Sequence, residues 1–285
     1  MSRLREWLAG GLLITDGAWG TGLQARGLNP GTAPDSWNLT HPERVEAVAR
    51  AYVEAGSQVI LTNTFRANSV AMEGDLEAIN RAGVAISKRA AEKALVFASI
   101  GPTGKLLMTG EMSEEQATAA FAAQAAALAE AGADALLVET MCDIEEARLA
   151  VAAAKGTGLP VIASFAFDSG KNKDRTMMGA TPEAVAAAMV EAGADSVGAN
   201  CGVGIEHVAL ICRRLRAACD LPIWIKPNAG LPKMEGTAIR YDTSPEFFAS
   251  HYAALRDAGA SFLGGCCGST PDFVRALVSA RCASS

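Results

Sequence analysis

The sequence predicts a single-domain (β/α)8 TIM barrel, and three observations predict it. A short signature recurs four times, as Glu54-Ala-Gly-Ser57, Glu130-Ala-Gly-Ala133, Glu191-Ala-Gly-Ala194 and Asp257-Ala-Gly-Ala260, each time just ahead of an apolar run. Eight such runs alternate with eight helical patterns, and no element is left over. The length of 285 residues, half of them hydrophobic, suits the one α/β architecture that stays a single domain at about 250 residues. The whole chain, 1–285, is therefore read as one barrel domain.

The strands are continuous apolar runs, as expected for a parallel sheet covered on both faces. They fall at 12–15, 58–62, 96–100, 135–138, 161–167, 196–199, 223–226 and 261–264. Helical patterns follow near 41–55, 76–93, 113–131, 143–155, 181–192, 204–218, 244–257 and 270–281. Their starts carry recognisable caps. Ser113 with Gln116 is a capping box, and Thr181-Pro182, Ser244-Pro245 and Thr270-Pro271 set proline at the first helical position. The signature glycines mark the stops, placed where a left-handed residue ends a helix. An open doubly wound sheet needs an edge and a switch point, which this evenly repeated pattern does not show.

Charge and composition narrow the function. Twenty-five basic and thirty-one acidic residues give a net charge of −6, with no basic run, which argues against nucleic acid and anionic membranes as partners. The apolar run at 12–14 is too short for a signal segment and leads into Asp16; the alanine-rich stretch 117–129 is interrupted by Gln124, so no membrane span is expected. Seven cysteines, an odd number without a secretion signal, point to reduced thiols in the cytoplasm.

In a barrel of this kind the active site lies at the C-terminal ends of the strands. Polar residues stand there: Asp16 after strand one, Thr62 and Asn63 after two, Gly101-Pro102-Thr103 after three and Glu139-Thr140 after four. Asn200 and Cys201 follow strand six, Asn228 strand seven, and Cys266 and Cys267 strand eight. Vicinal cysteines bridge each other poorly, and a redox dithiol usually separates its cysteines by two residues. Strands six and eight are near neighbours in a closed ring, so Cys201 approaches the Cys266-Cys267 pair. Three thiolates with an open fourth position form a zinc site that does chemistry. Small thiols filling the barrel mouth are the bland alternative.

The other candidates carry less. Cys212 and Cys219 recur at helical spacing with Ile205, Val208 and Leu215 and read as core. Cys282 is near the chain end, and Cys142 follows Glu139 closely enough to be considered for the pocket. His41, His207 and His251 fall on helices or their caps. Gly202-Val203-Gly204 is a short glycine pair able to cradle an anion. Asp16 and Glu139 share a rim and make an anionic mouth suited to a substrate ammonium.

Zinc with three thiolates is already negative in formal charge and polarises a carbonyl poorly. It suits a fourth sulfur, because coordination lowers a thiol pKa well below its free value of about 8.5. The expected chemistry is alkyl transfer to a thiol.

At these residues the sequence resembles the homocysteine S-methyltransferase family, most of all the branch of the N-terminal domain of cobalamin-dependent methionine synthase. The motifs match in order along nearly the whole chain: Asp16-Gly-Ala-Trp-Gly-Thr21, Thr62-Asn-Thr-Phe65, Gly101-Pro102, Glu139-Thr140, Asn200-Cys201-Gly202, Pro227-Asn-Ala-Gly-Leu-Pro232 and Gly264-Gly-Cys-Cys-Gly268. The resemblance implies that Cys201, Cys266 and Cys267 bind Zn2+ and carry the catalysis. It places the homocysteine ammonium on Asp16 and Glu139 and the carboxylate at Gly17, Thr62 and nearby backbone, with Asn63 and Asn200 as further substrate-binding residues. Trp19 departs from the family, where a methionine or small residue is more usual, and so bears on the methyl-donor side of the pocket.

The donor is read from the same branch. No histidine has an aspartate two residues before it, so no Asp-x-His-x-x-Gly corrinoid motif is present. Cobalamin, with its methyltetrahydrofolate system, is expected on a separate corrinoid protein. The alternatives are an S-methylmethionine-type or betaine-type donor, a phosphate-binding barrel enzyme without zinc, and a non-catalytic metal-binding subunit.

Overall fold

Eight parallel strands form the ring: β1 (Leu13–Ile14), β2 (Val59–Leu61), β3 (Leu95–Ile100), β4 (Ala135–Met141), β5 (Val161–Phe165), β6 (Ser196–Gly204), β7 (Ile223–Asn228) and β8 (Ala260–Leu263). The computed structural model describes residues 3–29, 31–231, 233–235 and 238–284; Pro232 of the proline-rich motif lies outside them. Neighbours pair in the order β1-β8-β7-β6-β5-β4-β3-β2, all parallel. The remaining gap closes through the parallel bridge Thr15↔Val59 and the 2.8 Å bond from Gln58 N to Ile14 O. This closure makes the sheet a barrel and excludes the doubly wound alternative.

The signature glycines do what their position requires. Gly56, Gly132, Gly193 and Gly259 have φ of 100°, 94°, 80° and 97°, the left-handed region that ends a helix without steric cost only for glycine. The Ser113 capping box forms, and Thr181 and Ser244 cap their helices through side-chain oxygen. Thr270 makes no such bond.

The seventh helix differs from expectation, splitting into Pro245–Ser250 and Tyr252–Asp257. The His251 ring bonds Phe247 O at 3.0 Å while its own N–H bonds Phe248 O at 3.3 Å. The side chain thus holds the carbonyl that an α-helical His251 N–H would use. Between β7 and β8 runs an antiparallel hairpin of Lys233–Glu235 and Ala238–Arg240, which hydrophobic runs did not reveal.

The barrel interior is layered. Phe97, Trp224 and Phe262 pack with ring centroids 5.2 to 5.9 Å apart and block the lower half. A short helix, Arg3–Trp7, seals that end, burying Leu4 and setting Trp7 5.6 Å from Phe97. Five residues are too few to show a period, so the sequence did not mark it. Because side chains alternate across a strand, the residue two places beyond each inward apolar one also points inward. Phe97 gives way to Ser99, Leu137 to Glu139, Ile162 to Ser164 and Trp224 to Lys226. A polar layer therefore rests on the aromatic one, at the strand ends where the site lies.

Candidate functional site

The Gly264–Gly268 stretch leaves β8 pressed against β1. Gly265 N bonds Asp16 O at 3.0 Å and Cys266 N bonds Pro227 O at 2.7 Å. A Cβ on Gly264 would stand 2.0 Å from Thr15 Oγ1 and 2.5 Å from Asp16 O, so only glycine permits the approach. Gly268 is the turning residue, with φ of 81°. On β6 the strand breaks register after Cys201, and Cys201 itself is left-handed at φ 57°. These two turns bring the sulfurs of Cys201, Cys266 and Cys267 within 4.8 Å of one another.

Asn200 holds this arrangement. Its Oδ1 accepts from Thr140 N at 2.9 Å and from Ser164 Oγ at 2.7 Å; its Nδ2 donates to Thr140 Oγ1 at 2.7 Å and to Glu139 Oε2 at 3.4 Å. One buried amide thus ties β4, β5 and β6 together. Thr140 is left-handed too, at φ 61°, which is an outlier for a β-branched residue and persists only where its surroundings impose it.

The thiols line a cavity of about 370 Å³ together with Gly17, Trp19, Thr62, Asn63, Glu139 and Lys226. Asp16 is fully buried beneath it. Its Oδ2 accepts from Trp19 Nε1 and Leu61 N, both at 2.7 Å, and its Oδ1 is paired with the ammonium of Lys226, a side chain only 2% exposed. Glu139 Oε1 accepts from Ser99 Oγ. Burial pushes the Glu139 carboxyl up, while the Lys226 charge and the Ser99 bond pull it partly back. Thr62 Oγ1 contacts Thr64 Oγ1 at 2.6 Å and accepts from Ser99 N at 3.0 Å. Asn63 Nδ2 bonds Pro34 O and Asn38 Oδ1 and anchors the 31–36 loop over the cavity.

Of the residues expected to bind substrate, Gly17, Thr62, Asn63 and Glu139 line the cavity beside the three thiols, whereas Asp16 and Asn200 are buried outside its lining; the wall also has members the sequence reading did not name. Lys226 was read as the end of an apolar run, yet a lysine on an inward strand position was the signal. Asp35 and Arg66, also on the cavity wall, come from loops without periodicity. Tyr241, on the segment after the hairpin, acts electrostatically on Cys267. Cys142, Thr103 and Asn228 lie outside the cavity lining; Thr103 instead bonds Glu146 at 2.6 Å. Cys212 is buried core and Cys282 is exposed.

The donor set fits a soft cation. All seven cysteines are free. Two thiolates at about 2.3 Å from a tetrahedral zinc stand about 3.8 Å apart, and Cys201 Sγ and Cys267 Sγ are 3.8 Å apart. Hydrogen bonding within the trio favours one sulfur at another's expense. The bond with Cys266 favours the Cys201 thiolate, but the bond with Cys267 and burial push the Cys201 thiol up to about 12. In Cys267 the bond with Cys201 is likewise outweighed, by Cys266 and burial, and this thiol is also pushed up to about 12. The bond with Cys201, more than burial, raises Cys266. Three thiols packed so closely resist ionising together, and a divalent cation reverses that balance.

A closed (β/α)8 barrel with a thiol trio and a buried acid–lysine pair at its strand ends defines a barrel protein that carries the donor set of a metal site. The chain belongs to the homocysteine S-methyltransferase family, whose model matches residues 13–281. It is 31% identical to methionine synthase from Mycobacterium leprae (strain TN), over 98% of this chain and 25% of the relative. The methionine synthase of Mycobacterium tuberculosis is also 31% identical, over 97% of this chain and 25% of the relative. The chain thus spans about a quarter of the length of these relatives. The metallated form of the homocysteine methyltransferase MmuM from Escherichia coli shares the fold with a TM-score of 0.80 at 24% identity, covering 97% of this chain and 99% of that one.

Proposed function

We propose that the protein is a zinc-dependent methyltransferase that takes up homocysteine as a thiolate and methylates it to methionine. The observation that carries this reading is the trio Cys201, Cys266 and Cys267 on the wall of the cavity at the strand ends. The three cysteines would hold zinc, which supplies the ionisation of a fourth, substrate sulfur near neutral pH. The chain's own groups do the rest. Glu139 and Asp16 provide negative charge for the substrate ammonium, Asp16 Oδ1 keeping acceptor capacity beyond its lysine. Backbone at Gly17 and Thr62, with Asn63 and Asn200 behind it, shapes the rest of the acceptor wall. Transfer forms a carbon–sulfur bond as the donor's bond to the same methyl carbon breaks, the electron pair leaving with the donor.

The methyl group is assigned to a methylcorrinoid and methyltetrahydrofolate system. Identity with methionine synthases over nearly the whole chain supports this. A second reading, a small donor such as S-methylmethionine or betaine, is favoured by the correspondence with a homocysteine methyltransferase over 99% of its length. Among the described residues no helix is long and apolar enough to cross a membrane. The seven free thiols support a reducing compartment, the cytoplasm.

The test is a homocysteine methylation assay across methylcobalamin, a methylated corrinoid protein, S-methylmethionine and betaine, with zinc X-ray absorption in parallel. The reading requires three sulfur ligands that become four with homocysteine, and Cys266→Ala should lose zinc and activity together. Robust methylation by a sulfonium donor and none from either corrinoid source would overturn the donor assignment. A zinc sphere that homocysteine leaves unchanged would overturn the acceptor assignment.

A further inference from the structure

The loop after β2 has two sides. Phe65 and Arg66 wall the thiol cavity, while the next two residues, Ala67 and Asn68, line a second cavity of about 300 Å³ between the helices Leu76–Ala91 and Glu114–Glu130. The two cavities share no lining residue. Leu76, Ala123 and Ala127 give the second one an apolar wall. Three side-chain amides, Asn68, Asn80 and Gln124, each 2% exposed or less, give it a polar one.

These amides are oriented by their partners. Asn68 Oδ1 accepts from Val70 N at 3.1 Å and from Ala71 N at 2.9 Å, so its Nδ2 is left over. Gln124 Nε2 donates to Thr64 O at 2.7 Å and lies 3.4 Å from Asn80 Oδ1, so its Oε1 is left over. Asn80 links the two, because its Nδ2 donates at 2.8 Å to the carbonyl of Ala67, the neighbour of Asn68. Turning over either Asn68 or Gln124 would break the bonds that hold it. Among the described residues Asn68 Nδ2 and Gln124 Oε1 have no partner. Buried polar atoms are nearly always hydrogen-bonded, since a stranded one is costly. Here a donor and an acceptor are both stranded on residues of one cavity wall.

We propose that this cavity is a binding site for a small neutral carboxamide, its carbonyl accepting from Asn68 Nδ2 and its N–H donating to Gln124 Oε1. A short alkyl chain then lies against Leu76, Ala123 and Ala127. A carboxylate brings no donor for Gln124, and the cation lining the cavity, Arg81, is already paired with Glu77 and Glu130. A ketone accepts but does not donate. The carboxamide answers both leftover atoms and buries no charge.

The test titrates the isotope-labelled protein with butyramide, butyrate and methyl propyl ketone, following the side-chain amide signals of Asn68 and Gln124 by NMR. Butyramide should shift both signals and bind about tenfold more tightly than either isostere, the scale of one added hydrogen bond. Asn68→Asp keeps an oxygen for Val70 N and Ala71 N and removes only the donor, so butyramide should weaken by about tenfold. A wild-type protein that binds the ketone or butyrate as tightly as butyramide overturns the proposal, without needing the variant to fold. Shifts confined to the thiol cavity also overturn it. So does a crystal structure grown with butyramide in which ordered water alone meets Asn68 Nδ2 and Gln124 Oε1.

Discussion

Replacing Asn200 by alanine is the sharpest probe of how the site is built. The amide is 1% exposed and makes four contacts, to Thr140 N, Thr140 Oγ1, Ser164 Oγ and Glu139 Oε2. Truncation strips partners from one backbone N–H and two hydroxyls in a region water reaches poorly. Stranding a buried polar group costs about 1 to 3 kcal/mol, less where a hydroxyl can turn to another acceptor, so Asn200→Ala should destabilise by about 3 to 5 kcal/mol. A second effect is local. Thr140 and Cys201 hold left-handed conformations at φ 61° and 57°, and without the amide spanning β4 to β6 both are free to relax, moving the Cys201 sulfur. Zinc affinity should then fall beyond what the stability loss alone produces. Equilibrium urea unfolding gives the first quantity, and competition with a chromophoric chelator at low temperature, where the variant stays folded, gives the second. A stability change under about 1 kcal/mol, or unchanged zinc affinity in a destabilised protein, would show that Asn200 does not brace the thiol site.

Other outcomes follow from single features. Gly264→Ala puts a Cβ against Thr15 Oγ1 and the Asp16 carbonyl; relief needs β1 and β8 to separate, and a loss of about 2 to 4 kcal/mol is expected in thermal unfolding. Burial raises the Asp35 carboxyl from 3.8 to about 6, so the folded protein binds its proton more tightly than the unfolded chain does. Its contribution is full below about pH 3.8 and is lost as pH rises towards 6, about 1 to 3 kcal/mol. Asp35→Asn should flatten the fall in urea midpoint over that window, and an unaltered pH slope would refute the assignment. Cys142→Ser and Cys282→Ser should keep full zinc stoichiometry, measured by metal analysis, since neither belongs to the trio.

The legible part of this protein was whatever depended on local pattern. Strand starts fall within a residue of the observed ones, and each signature glycine lies two residues past a helix, because both are properties of neighbouring residues; β4 and β6 run three and five residues beyond their expected ends. Failures occur where the signal is short or lies in a side chain's reach. Arg3–Trp7 has too few residues for a period, and the break at His251 comes from an imidazole holding the Phe247 carbonyl. In Gly264-Gly-Cys-Cys-Gly268 the pattern located the thiols but not the task of each glycine. The structure divides the work, with Gly268 turning at positive φ and Gly264 making room for β1.

By itself the sequence determined the eightfold βα order, the strand ends where polar residues collect, and the three cysteines that belong together once a ring is assumed. Only the tertiary structure decided how those residues pair. Asp16 and Lys226 are 210 positions apart in the chain, and no local rule says that one will satisfy the other. The closing of the barrel brings β1 and β7 to opposite sides of β8, and in a buried, water-poor layer each charge must find a partner within reach. That constraint turns two acids and a lysine into one coupled floor.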